Sequence, residues 1–279
     1  MNIQLIETGY FYADGGAMFG AIPKAAWSRR YPCDENNGCI LAMRSALVTT
    51  DCGRLILIDN GAGNKHLDPL SYYRFFNLID LEEALMEKGI SRDQITDVVL
   101  THLHFDHCGY TTRKMAETNS YELSFPNATH WVGRTQWENF LHPNALEKDS
   151  YFLENMQAVA EKGKLSLIDQ DTFLCPSVQL RLFDGHTPGQ IAPYISGNGR
   201  TYVFAGDVIP LEASVSPEWI SAYDTYPVLS YSEKLRMLEE AAREEQVLIY
   251  CHDAYTSCST VKKVKDFFKK KEKVDLLFP

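Results

Sequence analysis

The sequence predicts an α/β fold built from parallel crossovers, and three observations carry that expectation. The apolar run Leu55-Ile56-Leu57-Ile58, a helical pattern over Ser71 to Lys88 and the apolar run Asp97-Val98-Val99-Leu100 read as strand, helix, strand, which is a parallel crossover unit. A comparable set returns in the second half: Thr201-Tyr202-Val203-Phe204, a helix over Tyr231 to Glu244, and Val247-Leu248-Ile249-Tyr250. Five apolar strands also finish in a histidine or an aspartate, at Asp59, His102, His186, Asp207 and His252. In α/β architectures function collects at the strand ends along one edge of a sheet.

Taken in order, Ile3 to Ile6 reads as a first strand, followed by a glycine-rich, aromatic loop from about residue 10 to 40 that is open to three readings: substrate mouth, dimer arm, or a loop that merely packs over the sheet. Leu41 to Thr49 and Arg54 to Asp59 are apolar segments joined by the hairpin turn Thr50-Asp51-Cys52-Gly53. The helix after them carries Leu78, Leu81 and Leu85 at helical spacing and meets Gly89 as its stop. Residues from about 131 to 175 form an insertion that reads as mostly helical; its aromatic side chains are weighed as core before lid. Leu180 to Phe183 is a short strand, and the helix from Tyr231 opens with Ser230 and Glu233 at capping-box spacing. Seven lysines between Lys262 and Lys273 interleave with Val261, Val264, Phe267 and Phe268, the pattern of an amphipathic closing helix.

Composition narrows the function classes. The 279 residues are expected to form a single domain with 45% hydrophobic and 23% charged residues. A formal net charge of -10 argues against nucleic acid as a partner, and no apolar run has the length of a membrane span. The N-terminus shows no signal-peptide pattern, and seven cysteines without a Cys-x-x-Cys spacing fit reduced thiols in a cytoplasmic protein. Cys108 and Cys251 lie beside histidines of interest but read as small buried filler.

The densest chemistry is Thr101-His102-Leu103-His104-Phe105-Asp106-His107, three histidines and a carboxylate within six residues at a strand end. His102 and His104, two apart on an extended segment, project the same way and suit one ion, while Asp106 and His107 after the turn suit a second. A merely solvated loop does not call for so many titratable groups. His130 and His142 have no such company and read as structural.

His-x-His-x-Asp-His at 102 to 107, Gly-His-Thr-Pro-Gly at 185 to 189, Gly-Asp at 206 to 207 and His252 resemble the metallo-β-lactamase superfamily, in the family's order and from about Asp59 onward. The resemblance implies a four-layer αβ/βα sandwich: two mixed β-sheets face to face with helices on the outer faces. It implies that His102, His104 and His186 hold one divalent metal ion, that Asp106, His107 and His252 hold another, and that Asp207 bridges the pair, with Asp59 orienting a histidine ligand from behind. Zinc suits the donor set best, and Fe, Mn, Co and Ni accept it too. The implied activity is hydrolysis of a small ester-like substrate, with Asp106 orienting the nucleophile and returning a proton. A carboxylate at 207 resembles lactonases, glyoxalase II-type thioesterases and phosphotriesterases more than lactam-cleaving members. The 101 to 107 sequence and the aromatic N-terminal loop resemble the quorum-quenching lactonase and methyl parathion hydrolase branch, which favours a lactone such as an N-acyl homoserine lactone. That branch has a tyrosine shortly after the bridging aspartate; Val208-Ile209-Pro210 stands here instead, leaving Tyr223 as the substitute. A homodimer is compatible with the sequence, and a non-catalytic metal-binding protein is the reading of another class. Since His130 and His142 stand outside the implied ligand set, His130→Ala and His142→Ala are expected to leave metal per chain unchanged by elemental analysis, and loss of an ion in either would break the assignment.

Overall fold

The expected crossovers are present, and they belong to two different sheets. The computed structural model describes residues 1–115 and 120–276. Its strands, in chain order, are β1 (Asn2–Asp14), β2 (Gly38–Thr49), β3 (Leu55–Ile58), β4 (Asp97–Val99), β5 (Thr112–Lys114), β6 (Tyr121–Leu123), β7 (Thr129–Gly133) and β8 (Leu165–Ile168). The second half adds β9 (Thr172–Cys175), β10 (Val178–Phe183), β11 (Gln190–Gly197), β12 (Arg200–Phe204), β13 (Val247–Ile249), β14 (Cys258–Val264) and β15 (Phe267–Lys273). The α-helices are α1 (Gly15–Phe19), α2 (Lys24–Trp27), α3 (Leu81–Glu87), α4 (Phe105–Cys108), α5 (Arg134–Leu141), α6 (Gln157–Glu161) and α7 (Pro227–Arg243). One sheet has the order β1-β2-β3-β4-β7-β8 and the other β15-β14-β13-β12-β11-β10-β9, with β5 and β6 forming a separate hairpin. The β3–β4 and β12–β13 pairs are parallel while β1–β2 and β10–β11 are antiparallel, so both sheets are mixed.

The period-two alternation of strands makes the layers. Ile56 and Ile58 of β3 face inward onto Leu180, Ile191, Phe204 and Ile249 of the other sheet. Leu57, between them, faces outward onto Leu81 and Leu85 of α3. In the second sheet Val247 and Ile249 point inward, while Leu248 packs under Met237, Leu238 and Ala241 of α7. The result is the four-layer arrangement that the resemblance implies. No described helix is long and apolar enough to cross a membrane.

Several expectations need correction. The first strand runs on through the aromatics to Asp14 and pairs with β2 almost throughout, with an irregularity between Glu7 and Gly9. The supposed loop of residues 10 to 40 is therefore strand at both ends, with α1 and α2 between; Phe19 stacks on Trp27 at 5.2 Å there. The helix expected over 71 to 88 is broken. A 3-10 turn covers Ser71–Tyr73, Arg74 and Asn77 take positive φ, and α3 starts only at Leu81, where Asp80 accepts from the Glu82 and Glu83 amides. The break has a tertiary cause, since Phe76 and Tyr10 exchange backbone hydrogen bonds and stack at 5.4 Å. In the insertion, Trp131 lies in β7 and helix is confined to α5, α6 and short 3-10 turns.

The last helix begins at Pro227, so Ser230 is inside it and Glu233 caps nothing in α7. Glu233 instead accepts from the Asp184 amide at 3.0 Å and the Gly185 amide at 2.9 Å. The neighbouring Lys234 is buried and donates to the Trp219 carbonyl at 2.7 Å. The lysine-rich C-terminal run is a hairpin, β14 and β15, not a helix. Alternation resolves the ambiguity: Phe268 packs inward against Val261 while Phe267 is 58% exposed. β15 forms the outer edge of its sheet.

α7 passes so close to the loop before His186 that a Cβ on Gly185 would lie 2.5 Å or less from the Ser230 backbone. Gly185→Ala must therefore displace backbone and is expected to cost about 1–3 kcal/mol of stability, read as a lowered thermal midpoint. An unchanged midpoint would show that α7 yields freely.

Candidate metal centre

Each side chain of interest is delivered by the end of a strand. β4 runs into Thr101 to His104 and then α4, which carries Asp106 and His107. The loop after β10 carries His186, the turn after β12 carries Asp207, and the chain leaving β13 reaches His252 two residues beyond Tyr250. Asp59, just past β3, has φ of +53°, a conformation that an aspartate tolerates better than most residues. The sandwich thus turns the strand ends of both sheets toward one point.

Every histidine there has one ring nitrogen facing an acceptor in the surrounding protein. His107 Nδ1 lies 2.8 Å from Asp59 Oδ2, and Asp59 also accepts from the Thr101 amide and hydroxyl at 2.7 and 2.8 Å. His252 Nδ1 donates to the Ala42 carbonyl at 2.8 Å. His186 Nδ1 is 3.0 Å from Asp224 Oδ1, and His104 Nε2 is 3.3 Å from Glu147 Oε1. His102 Nδ1 lies 3.1 Å from the Thr101 hydroxyl. These contacts fix ring orientation and leave the opposite nitrogen directed inward.

The inward nitrogens crowd together without hydrogens to share. His107 Nε2 is 3.1 Å from His252 Nε2, and His104 Nδ1 is 3.4 Å from His186 Nε2. Asp207 Oδ1 lies 3.2 Å from His252 Nε2 and 3.4 Å from His107 Nε2, while its Oδ2 is 3.4 Å from His186 Nε2. Asp106 Oδ2 is 3.4 Å from His252 Nε2 and 3.6 Å from His107 Nε2. Ligand atoms around a tetrahedral ion with bonds near 2.0–2.1 Å are separated by roughly 3.3 Å. The buried Nε2 of His102 has no hydrogen-bond partner among the described residues and, unlike the equally unpartnered ring of His130, lies among other metal-ligating side chains. His102, His104 and His186 form one compact group; Asp106, His107 and His252 form another, and Asp207 joins His102 and His107 in a third. The donors present fit two divalent cations.

Electrostatics agree with that fit. Burial disfavours protonated His107, yet the carboxylates of Asp106, Asp207 and Asp59 outweigh it and raise its pKa. His186 is likewise raised against burial, chiefly by Asp207 and then by Asp224. Burial also opposes ionised Asp207, but His252, His107 and His186 hold it well below the usual carboxylate range. Burial instead lowers His102 and His104, which keeps their rings neutral, as a ligand imidazole must be.

The centre opens into a cleft whose apolar wall includes Phe11, Met18, Leu41, Tyr73 and Phe105, and whose lining contains no lysine or arginine. Tyr223 lines the same cleft, where burial and the nearby Asp106 carboxylate push its phenol up to about 12, so it remains a donor. The structure therefore brings together all eight metal-centre and supporting residues expected from the sequence, and sets Tyr223 beside them. His130, in β7, and His142, at the end of α5, join none of the compact groups. Cys251 Sγ donates to Asp207 Oδ1 at 3.2 Å and joins a group with Asp207 and His252, but burial lifts its thiol to about 12, against a role as thiolate. Sequence reasoning missed Thr101, Asp224 and Glu147. Thr101 adjoins the motif and was in plain view; the other two lie in irregular segments with no pattern to mark them.

Residues 43–111 match the family model described as the metallo-beta-lactamase superfamily. Among curated proteins, the N-acyl homoserine lactonase AiiA of Bacillus thuringiensis subsp. kurstaki is 25% identical over 175 residues, 61% of this chain. The match spans about three fifths of that relative, 60% of its length. A probable metal-dependent hydrolase from Staphylococcus aureus superimposes with a TM-score of 0.86 at 28% identity, over 98% of both chains. AidC, a dizinc quorum-quenching lactonase solved with a product, superimposes with a TM-score of 0.78 at 20% identity, over 98% of this chain and 94% of its own, a likeness of fold.

The thiols offer a check on this centre. Cys52 is exposed, and hydrogen bonding from Thr50 lowers its pKa, whereas burial raises Cys108 and Cys251 to about 12. Alkylation followed by mass mapping is expected to label Cys52 first and Cys108 and Cys251 only on unfolding. Rapid native labelling of Cys251 would contradict the closed packing behind Asp207.

Proposed function

We propose that this chain, which carries a metallo-beta-lactamase domain, is a binuclear metal-dependent hydrolase of small, uncharged, ester-like substrates, with a lactone bearing an apolar chain as the favoured class. The observation that carries this reading is the pair of histidine groups with Asp207 between them, 3.2–3.4 Å from His252, His107 and His186, at the floor of an apolar cleft with no lysine or arginine among the described residues of its lining. His102, His104 and His186 would hold one ion, Asp106, His107 and His252 the other, with Asp207 common to both. Zinc is the first choice for this donor set. Bound there, divalent cations supply Lewis acidity toward an ester carbonyl and make water a stronger acid.

The protein's own groups do the rest. Asp106, beside His107 and His252, is placed to hold the proton of the attacking water and return it to the leaving alkoxide. Tyr223, protonated at the cleft wall, is placed to donate to a substrate oxygen where negative charge grows. Phe11, Met18, Leu41, Tyr73 and Phe105 offer an acyl chain a surface that excludes water. A glutathione thioester brings carboxylates that no lysine or arginine in the lining would meet, so the cleft supports a neutral lactone or phosphotriester above it.

The test joins elemental analysis with pH-indicator assays on an N-acyl homoserine lactone, a simple ester, a glutathione thioester and a phosphotriester. Close to two ions per chain with lactone turnover is the expected result. His104→Ala or Asp207→Ala is expected to abolish turnover and lower bound metal, and Tyr223→Phe to reduce kcat/KM by up to about 10²-fold with metal retained. Two ions with turnover of the thioester alone would replace the substrate class, and a chain that takes up no metal would end the mechanism.

A further inference from the structure

The insertion between β7 and β8 supplies a carboxylate that no strand end provides. Glu147 is 3% exposed and sits in the irregular segment after α5. None of its hydrogen-bond partners is a lysine or arginine. Its Oε2 accepts from Asn139 Nδ2 at 2.9 Å and from Asn144 Nδ2, while its Oε1 accepts from the Tyr151 hydroxyl at 3.1 Å and faces His104 Nε2 at 3.3 Å. A buried carboxylate that meets only neutral donors is costly. The structure answers it with an imidazole edge: with its proton held on Nε2 by Glu147, His104 presents Nδ1 inward, 3.4 Å from His186 Nε2.

The same network reaches the other two members of that group. Gln136 of α5 accepts from the Leu103 amide, between His102 and His104, at 3.0 Å, and donates to the Thr187 hydroxyl, next to His186, at 2.9 Å. The Tyr151 hydroxyl lies 3.1 Å from Thr187 Oγ1 and so links this branch to Glu147. The other group is anchored elsewhere, His107 by Asp59 and His252 by the Ala42 carbonyl.

We propose that Glu147 is a positioning residue that sets the metal affinity of the His102, His104 and His186 group alone. The inference rests on the binuclear reading above. Three imidazoles bring no charge of their own; Asp224 stands behind His186, and Glu147 supplies negative charge behind His104 as Asp59 does behind His107, raising the basicity of the inward nitrogen.

The test loads the full chain with Co²⁺ and titrates it with a chelator, reading metal per chain by elemental analysis and the Co²⁺ absorption spectrum at each step. In Glu147→Ala one ion is expected to leave at about 10- to 100-fold lower chelator concentration than in the unmodified chain, with the second unchanged. Glu147→Gln keeps an oxygen for the His104 Nε2 proton but loses the charge, and is expected to fall between the two. Loosening of both ions in parallel, or of neither, overturns the proposal. If Glu147→Ala does not fold, Glu147→Gln decides by the same criterion, one ion against both or none. An unmodified chain that binds no Co²⁺ would overturn the binuclear reading itself, and the two failures are separated because that result appears before any variant is made.

Discussion

Asp207 turns one carboxylate oxygen toward His107 and His252 and the other toward His186, and the architecture serves that placement. It leaves β12, in the interior of one sheet, while His107 follows β4, in the interior of the other. The two can meet only if the sheets lie face to face with their functional ends aligned. The dry layer between the sheets, where Ile56, Ile58 and Val99 meet Phe204 and Ile249, fixes that alignment. Hydrophobic packing has no directional chemistry of its own, yet here it sets the distance between a carboxylate and the imidazoles that keep it ionised.

The centre was more legible in the sequence than the elements around it. His102, His104, Asp106 and His107 fall within six residues, and Asp59, His186, Asp207 and His252 each follow an apolar run, so local spacing marked them as candidates, while their division into ligand sets came from the family resemblance. Elements were misread where a distant partner decides local structure. Residues 71 to 80 have helical spacing, but the helix is interrupted where Phe76 bridges to Tyr10, and the lysine-rich C-terminus has apolar residues that suit a helix or a hairpin until Val261 and Phe268 find one core. Glu147 and Asp224 were invisible for a related reason. Each matters only through the histidine it touches, 43 and 38 residues away along the chain.

Support for the centre comes from three directions. Behind His107 stands Asp59, from the strand next to β4; behind His104 stands the insertion, through Glu147; behind His186 stand Asp224 and α7, whose Glu233 grips the backbone of Asp184 and Gly185. Lys234, adjacent to Glu233, holds the Trp219 carbonyl and so steadies the segment leading to Tyr223 and Asp224. Two consecutive side chains of one helix thus steady both a candidate ligand loop and a wall of the cleft. Rigid support of this kind is what holds inward nitrogens near one another against their mutual repulsion.

The C-terminal hairpin has a consequence of its own. β15 leaves a row of backbone donors and acceptors at the sheet margin, which is an invitation to templated growth by another chain. Lys265, Lys269 and Lys273 stand along that margin as a fence of like charge, while Lys270 and Lys271 are paired with Glu212 and Glu245, so two copies approaching margin to margin bring lysines face to face before their backbones can pair. The fence is only as tall as the ionic atmosphere allows. At about 0.15 M salt the repulsion reaches some 8 Å and at 1 M only about 3 Å, less than the spacing between paired strands. Pairing between copies along this margin is thereby tied to ionic strength through a basic segment of an otherwise acidic protein.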